Sequence, residues 1–314
     1  MGHDHGHDHT HGANKKALLI SFIITTGFMI VEAIGGFVTN SLALLSDAGH
    51  MLSDSVSLGV GVLAFVLGER VASHSKTYGY KRFEILAALF NGVTLTLISL
   101  YILYEAYQRF ANPPEVASTG MLIIAIIGLL VNLTVAWILM RGDTKENLNL
   151  RAAFLHVLGD LLGSVGAIVA ALLIMFFNWG WADPLASVIV AILVLISGWR
   201  VTKDAIHVLM EGTPKNIELD DIIQTMEHVE GILSIHDLHV WSITSGQNAL
   251  SCHAVVDGDL SIHECQELLR TIEHELEHKG IGHVTIQMEN NEHTHDDSLM
   301  CQNDHSSTSH SHSH

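Results

Sequence analysis

The chain has 314 residues, 48% of them hydrophobic and only 15% charged, whereas soluble domains carry roughly 25% charged residues. A formal net charge of -18 leaves no basic stripe for phosphates and excludes a nucleic-acid partner. The charges are also uneven: residues 17–206 hold long apolar stretches, while Asp and Glu crowd the region beyond Gly212. A membrane part followed by a soluble part is the reading that fits.

Residues 1–14 are low in complexity, with His3, His5, His7, His9 and His11 among Asp and Gly. They read as a metal-buffering cytoplasmic tail, and no signal-peptide cleavage pattern follows them. A membrane domain is expected over 15–208. A helix needs about 20 apolar residues to cross a bilayer, and six stretches qualify, at about 17–38, 42–68, 83–108, 118–140, 152–178 and 183–203. One side of these spans receives Lys15, Lys16, Arg70, Lys76, Lys81, Arg82, Arg141, Lys145, Arg151, Arg200 and Lys203, and the other receives Arg109 alone. The positive-inside rule then places both termini and the soluble portion in the cytoplasm.

That soluble portion, 213–290, reads as helix, strand, strand, helix, strand. Ile217–Val229 has helical spacing, and Ile232–Ile243 and Ala249–Val256 alternate around a Ser245-Gly246 turn. Ile262–His278 is an amphipathic helix, and His283–Glu289 alternates again. The αββαβ order suits a small open sheet with helices on one face, a ferredoxin-like or metallochaperone-like layout. Residues 291–314 form a second His-rich tail, ending in His305, His310, His312 and His314. Cys252, Cys265 and Cys301 form no disulfide framework. Cys252 is expected to be a buried, inert thiol.

Ionisable residues inside a transmembrane helix are costly and default to a functional reading. Span 2 carries His50-Met51-Leu52-Ser53-Asp54, and span 5 carries His156-Val157-Leu158-Gly159-Asp160. In each, an imidazole and a carboxylate at i and i+4 project from one helix face. Two such faces supply two nitrogens and two oxygens, the tetrahedral donor set that suits Zn²⁺, while Mg²⁺ and Ca²⁺ want six or more oxygens. Cu(I) would prefer sulfur; Co²⁺ and Cd²⁺ stay compatible. Two carboxylates carry -2, which either one Zn²⁺ or two protonated imidazoles neutralise, so metal and protons displace one another. That is the physical requirement for Zn²⁺/H⁺ antiport. Asp47, one turn before His50, reads equally as a proton relay or hydrogen-bonding neighbour of a ligand and as a structural group. Asn91 and Asn132 read as interhelical contacts, and Glu32 and Glu105 as solvated groups near the outer ends of their spans. No GxSxG pattern is present, and His156 is followed by Val157 rather than by the Glu of a hydrolytic zinc site, so an enzyme is not expected.

Ser46-Asp47-Ala48-Gly49-His50 through Asp54, Tyr78-Gly79-Tyr80-Lys81-Arg82-Phe83-Glu84, and Leu155-His156-Val157-Leu158-Gly159-Asp160 resemble the cation diffusion facilitator family, in its bacterial cobalt–zinc–cadmium resistance branch. The likeness covers about residues 15–290. It implies a homodimer in the bacterial plasma membrane, zinc efflux by alternating access with cadmium and cobalt as further cargoes, and a transport site of His50, Asp54, His156 and Asp160. It also implies a cytoplasmic regulatory zinc site at His236, His253 and Glu289. His239 is a possible extra ligand there, with solvent exposure the alternative.

Overall fold

The computed structural model describes residues 8–67, 74–140, 149–257 and 260–290. The tail histidines His3, His5, His7, His305, His310, His312 and His314, together with Cys301, lie outside the described residues. The chain divides into two compact units, residues 1–206 and 207–314.

The first unit is built on long helices: α1 (Asp8–Thr39), α2 (Leu42–Leu67), α3 (Phe83–Ala111), α4 (Ser118–Met140), α5 (Asn149–Phe177) and α6 (Ala182–Leu209). By length and composition, four described stretches can cross a membrane: Leu19–Thr39, Phe83–Ala111, Ser118–Val135 and Ala182–Leu209. Gly163–Phe177 in α5 is a shorter apolar stretch. Helix α1 begins at Asp8, earlier than the apolar run at 17, because no proline or turn signal separates the His-rich residues from the span. Phe37, Phe90, Leu97, Tyr107, Phe176, Ile196 and Trp199 are exposed on these helices, as side chains that meet lipid rather than water must be. Trp179 stacks on Trp181 at 5.1 Å in the α5–α6 turn, where an aromatic pair suits the membrane–water boundary.

Small residues govern how the helices meet, because lipid tails supply no hydrophobic drive between them. α2 packs on α1, α3 and α5, and α4 packs on α1 and α5. Ala125, Ala167, Ala170, Ala171 and Ala182 line one buried cluster with Leu44 and Met121. α3 and α6 cross at Gly92 and Gly198, where a β-carbon on either would press on the other's carbonyl oxygen, at 2.9 and 3.1 Å.

The short α1–α2 turn is held from α6. Asp183, buried at the start of α6, accepts from Ser41 Oγ at 2.6 Å and from the backbone N–H groups of Leu42 and Ala43 at 2.8 and 3.1 Å. Those amides are the unpaired donors of the first turn of α2, and a carboxylate there also complements the helix dipole. Arg109 ends α3 by bonding Asn40 O at 2.7 Å and Glu105 at 3.0 Å, so Glu105 is ion-paired at the helix end. Asn40 itself takes φ 57° to make the turn.

The second unit contains α7 (Leu219–Glu227), β1 (Ile232–Thr244), β2 (Gln247–Val256), α8 (Ile262–His278) and β3 (Ile281–Asn290), the αββαβ order read from the alternation. The sheet order is β1-β2-β3, with β1 antiparallel and β3 parallel to β2. A two-residue turn closes the hairpin, with Gly246 at φ 73°, a conformation that glycine enters without steric cost. Ile222 and Met226 of α7 and Ile272 and Leu276 of α8 are buried with Val240, Leu250, Cys252 and Ala254 of the strands. Both helices therefore cover one sheet face, and the polar strand positions are left on the other. Burial, then the Asp237 charge, pushes the Cys252 thiol up to about 12, so it stays protonated among apolar neighbours.

Candidate metal centres

Two groups of ligand-type residues stand apart, one in each unit. In the first unit, α2 places His50 and Asp54 one turn apart, His50 half-buried and Asp54 only 8% exposed. α5, which packs on α2, carries His156 and Asp160 on its helical backbone; their side chains lie outside those described. Polar contacts brace this crossing. Asn91 on α3 donates to Ser53 Oγ at 3.0 Å, and Ser164 on α5 donates to Asp47 Oδ2 at 3.2 Å. Asn132 on α4 reaches Ser164 Oγ at 3.4 Å. The backbone of α5 comes close beside Asp47, since a β-carbon on Gly163 would collide with Asp47 Oδ1.

Glu32 departs from the expectation of a solvated group. It is completely buried in α1, and the Asp47 carboxylate lies beside it. The reason is geometric: Glu32 sits seven residues before the end of α1, on the face that meets α2 and α4. An apolar run with a single acid carries no sign of which face that acid takes.

In the second unit the sheet itself assembles the group. His236 on β1 is in register with His253 on β2, and Glu289 on β3 is in register with Val255. His253 and Glu289 thus project from the same face on neighbouring strands. His253 Nδ1 lies 2.9 Å from Glu289 Oε1, and His236 Nε2 lies 3.4 Å from Glu289 Oε2. One donor atom from each of the three falls within 4.8 Å of the others. Two imidazole nitrogens and a carboxylate oxygen at such spacing are a set that Zn²⁺ accepts, with a fourth position open. Gln287 Nε2 donates to Glu289 Oε1 at 2.7 Å and orients that carboxylate.

A bulge completes the edge of this group. Register shifts between His236 and His239, so Asp237 and Leu238 face Cys252 alone, with Asp237 at φ 50°. Asp237 Oδ2 then comes within 3.8 Å of His253 Nε2, while its other oxygen is 3.1 Å from His239 Nε2. His239 is half-exposed and turned to Asp237 rather than to the three-residue group. Sequence reasoning missed Asp237; strict alternation cannot signal a bulge, although Asp is among the residues that tolerate φ > 0.

A helical membrane unit with His/Asp pairs on two packed helices, joined to a small sheet domain with its own His/Glu cluster, defines a multi-pass metal-ion transporter. Residues 18–210 match the cation efflux transmembrane domain and residues 214–291 the cation efflux protein cytoplasmic domain. The chain belongs to the cation efflux family. It is 71% identical over 298 residues to a cadmium, cobalt and zinc/H⁺-K⁺ antiporter of Bacillus subtilis, covering 95% of this chain and 96% of that one. It is 42% identical to the metal cation efflux system protein CzcD of Cupriavidus metallidurans, over 92% and 90% of the two chains. The zinc transporter ZitB of Escherichia coli is also 42% identical, over 92% and 93%.

Proposed function

We propose that the chain exports Zn²⁺ from the bacterial cytoplasm in exchange for protons, with Cd²⁺ and Co²⁺ as further cargoes, by alternating access of a homodimer. Six spans carry the membrane part, and both termini lie in the cytoplasm with the sheet domain. The observation that carries the reading is the repetition of one His/Asp pair on α2 and on α5, helices that pack on each other. It is supported by family membership along almost the whole length and by relatives named as zinc antiporters and transporters.

In this reading His50, Asp54, His156 and Asp160 hold the cargo. Zn²⁺ leaves this site neutral, and so do two protons on the imidazoles, whereas an empty doubly negative site in a low-dielectric interior is unfavourable. Cytoplasmic metal displaces protons, and external protons later displace metal. His236, His253 and Glu289 form a regulatory site in which zinc would tie the three strands together and so report cytoplasmic metal to the dimer. The test is zinc flux into inverted vesicles or liposomes under an imposed pH gradient, comparing the parent with Asp160→Ala. Gradient-driven accumulation lost in the variant supports antiport through the four-residue site. Equal flux in both removes that site, and no flux in either removes transport.

A further inference from the structure

Helix α8 carries a further set of metal-type donors that neither group above includes. His274-Glu275-Leu276-Glu277-His278 places two imidazoles at i and i+4, so both stand on one helix face. His274 Nε2 and His278 Nε2 lie 3.3 Å apart, with ring centroids 4.5 Å apart and the ring planes at 76°. Both residues are exposed. Ile272 and Leu276 of the same helix are buried against the sheet, so the pair stands on the outward side of α8. The group of His236, His253 and Glu289 lies on the opposite sheet face, and the two sets share no residue.

The separation of the two nitrogens selects a geometry. A tetrahedral ion with Zn–N bonds of about 2.0–2.1 Å holds two ligand nitrogens about 3.3–3.4 Å apart. The right angle of a square-planar or octahedral ion would bring them to about 2.9 Å. The observed 3.3 Å matches the tetrahedral bite. Without metal, one ring must carry its proton on Nε2 and donate it to the other; with metal, both protons sit on Nδ1, where solvent accepts them.

The electrostatics also favour a cation. Ile262–His278 holds five glutamates against Arg270 alone, and Arg270 is paired with Glu267 at 2.8 Å. Lys279, next to His278, reaches instead to Asp221 on α7 at 2.7 Å. His278 is in the last turn of α8, where the free carbonyl groups of the helix end favour positive charge. His274 also lines a groove of about 460 Å³ between α8 and β3, with Glu273, Glu277 and His283 in its walls. One water takes about 30 Å³, so an ion can approach with its hydration shell.

We propose that His274 and His278 chelate Zn²⁺, or another divalent ion of tetrahedral preference, at the C-terminal end of α8. The remaining coordination positions fall to water. Hydrolytic HExxH sites use the same spacing but add a third protein ligand. No third donor stands with this pair among the described residues, so it binds metal without supplying a hydrolytic site. The cytoplasmic unit thereby takes up metal independently on both sides of its sheet.

The test is histidine footprinting of the full-length protein in detergent. Carbethoxylation rates are read at each histidine by peptide mass spectrometry, with Zn²⁺, with Mg²⁺ and with no added metal. His263, exposed near the start of α8 with no histidine one turn away, is the internal control. With Zn²⁺ at about ten times its half-protecting concentration, His274 and His278 should react about tenfold more slowly, as ligand occupancy requires. His263 should keep its rate. Mg²⁺, which wants oxygen ligands, should protect neither member of the pair. His278→Gln should abolish the protection of His274 at the same Zn²⁺ concentration. Unchanged rates at His274 and His278 with Zn²⁺ would overturn the inference and leave the pair as a surface hydrogen bond. Equal protection by Mg²⁺, equal protection of His263, or protection of His274 that survives His278→Gln would overturn it as well. The parent protein alone decides the first of these outcomes, so the folding of the variant does not enter it.

Discussion

The two units treat polar side chains in opposite ways. The membrane unit buries Glu32, Asp47, Asp54 and Asp183 between helices. The cytoplasmic unit keeps an apolar core on one sheet face and gathers His236, His253 and Glu289 on the other. In the sheet domain, convergence marks a candidate site, because surface polar residues are common and three donors within one ligand sphere are not. In the membrane unit burial is not enough, since Asp183 is as deeply buried as Glu32 and is fully accounted for by the start of α2. What separates them is satisfaction. Asp183 is surrounded by donors, whereas Glu32 faces another carboxylate. A buried acid with its donors supplied is architecture, and the proposed cargo acids Asp54 and Asp160 are the ionic kind.

The largest effects come from setting Asp54 against Asp183. Asp54→Asn should abolish zinc flux while leaving helix content and detergent stability close to the parent, measured by flux and by thermal unfolding of the same preparation. Asp183→Ala should do the reverse in origin. It leaves Ser41 and the first amides of α2 without their acceptor, at about 1–3 kcal/mol for each buried group left unsatisfied, so the protein should be recovered poorly and melt early. An Asp183→Ala protein that is stable and transports normally would remove the distinction between architectural and ionic acids drawn above.

The cytoplasmic cluster should give a smaller and more selective effect. His236→Ala and Glu289→Ala each remove one donor from a three-donor set, and zinc binding to the cytoplasmic domain should weaken by about 10–100-fold. Transport through the membrane unit should persist with a changed dependence on cytoplasmic zinc. The double-variant comparison sharpens the contrast: Asp54→Asn removes flux and keeps cytoplasmic binding, and Glu289→Ala keeps flux and weakens binding. Titration calorimetry of both variants decides it, and unchanged binding in Glu289→Ala would dissolve the cluster as a site.

Hydropathy made the helix-rich unit legible, and alternation made the αββαβ order legible, because both are one-dimensional patterns that burial writes directly along the chain. The His/Asp pairs were legible for the same reason, since i and i+4 fix one helix face without tertiary information. Other features depend on contacts far apart in sequence. Asp183 caps a helix more than a hundred residues earlier, and Glu32 meets Asp47 across a turn whose geometry decides which faces touch. The Asp237 bulge depends on β1 and β2 being one residue out of step, and neither strand shows this alone.

The smallest effect belongs to the helix that covers the sheet. Ser261 caps α8, its Oγ accepting from the Glu264 amide at 3.3 Å, while the Glu264 carboxylate returns to the Ser261 amide at 2.8 Å. Ser261→Ala should cost the cytoplasmic unit about 1 kcal/mol, read as a modest fall in its unfolding midpoint with zinc flux unchanged. Hydrogen bonds from the Ser261 side chain and then its backbone hold the Glu264 carboxyl below its ordinary value. The folded chain therefore binds that proton less readily than the unfolded chain. The capping contribution is fully present above the unfolded value, about 4.3, and is lost as pH falls through the lower folded one. The difference in midpoint between parent and Ser261→Ala should accordingly be constant near neutral pH and narrow only in that acid range. A difference that narrows near neutrality instead would mean that histidines, not the capping box, set the pH response of this domain.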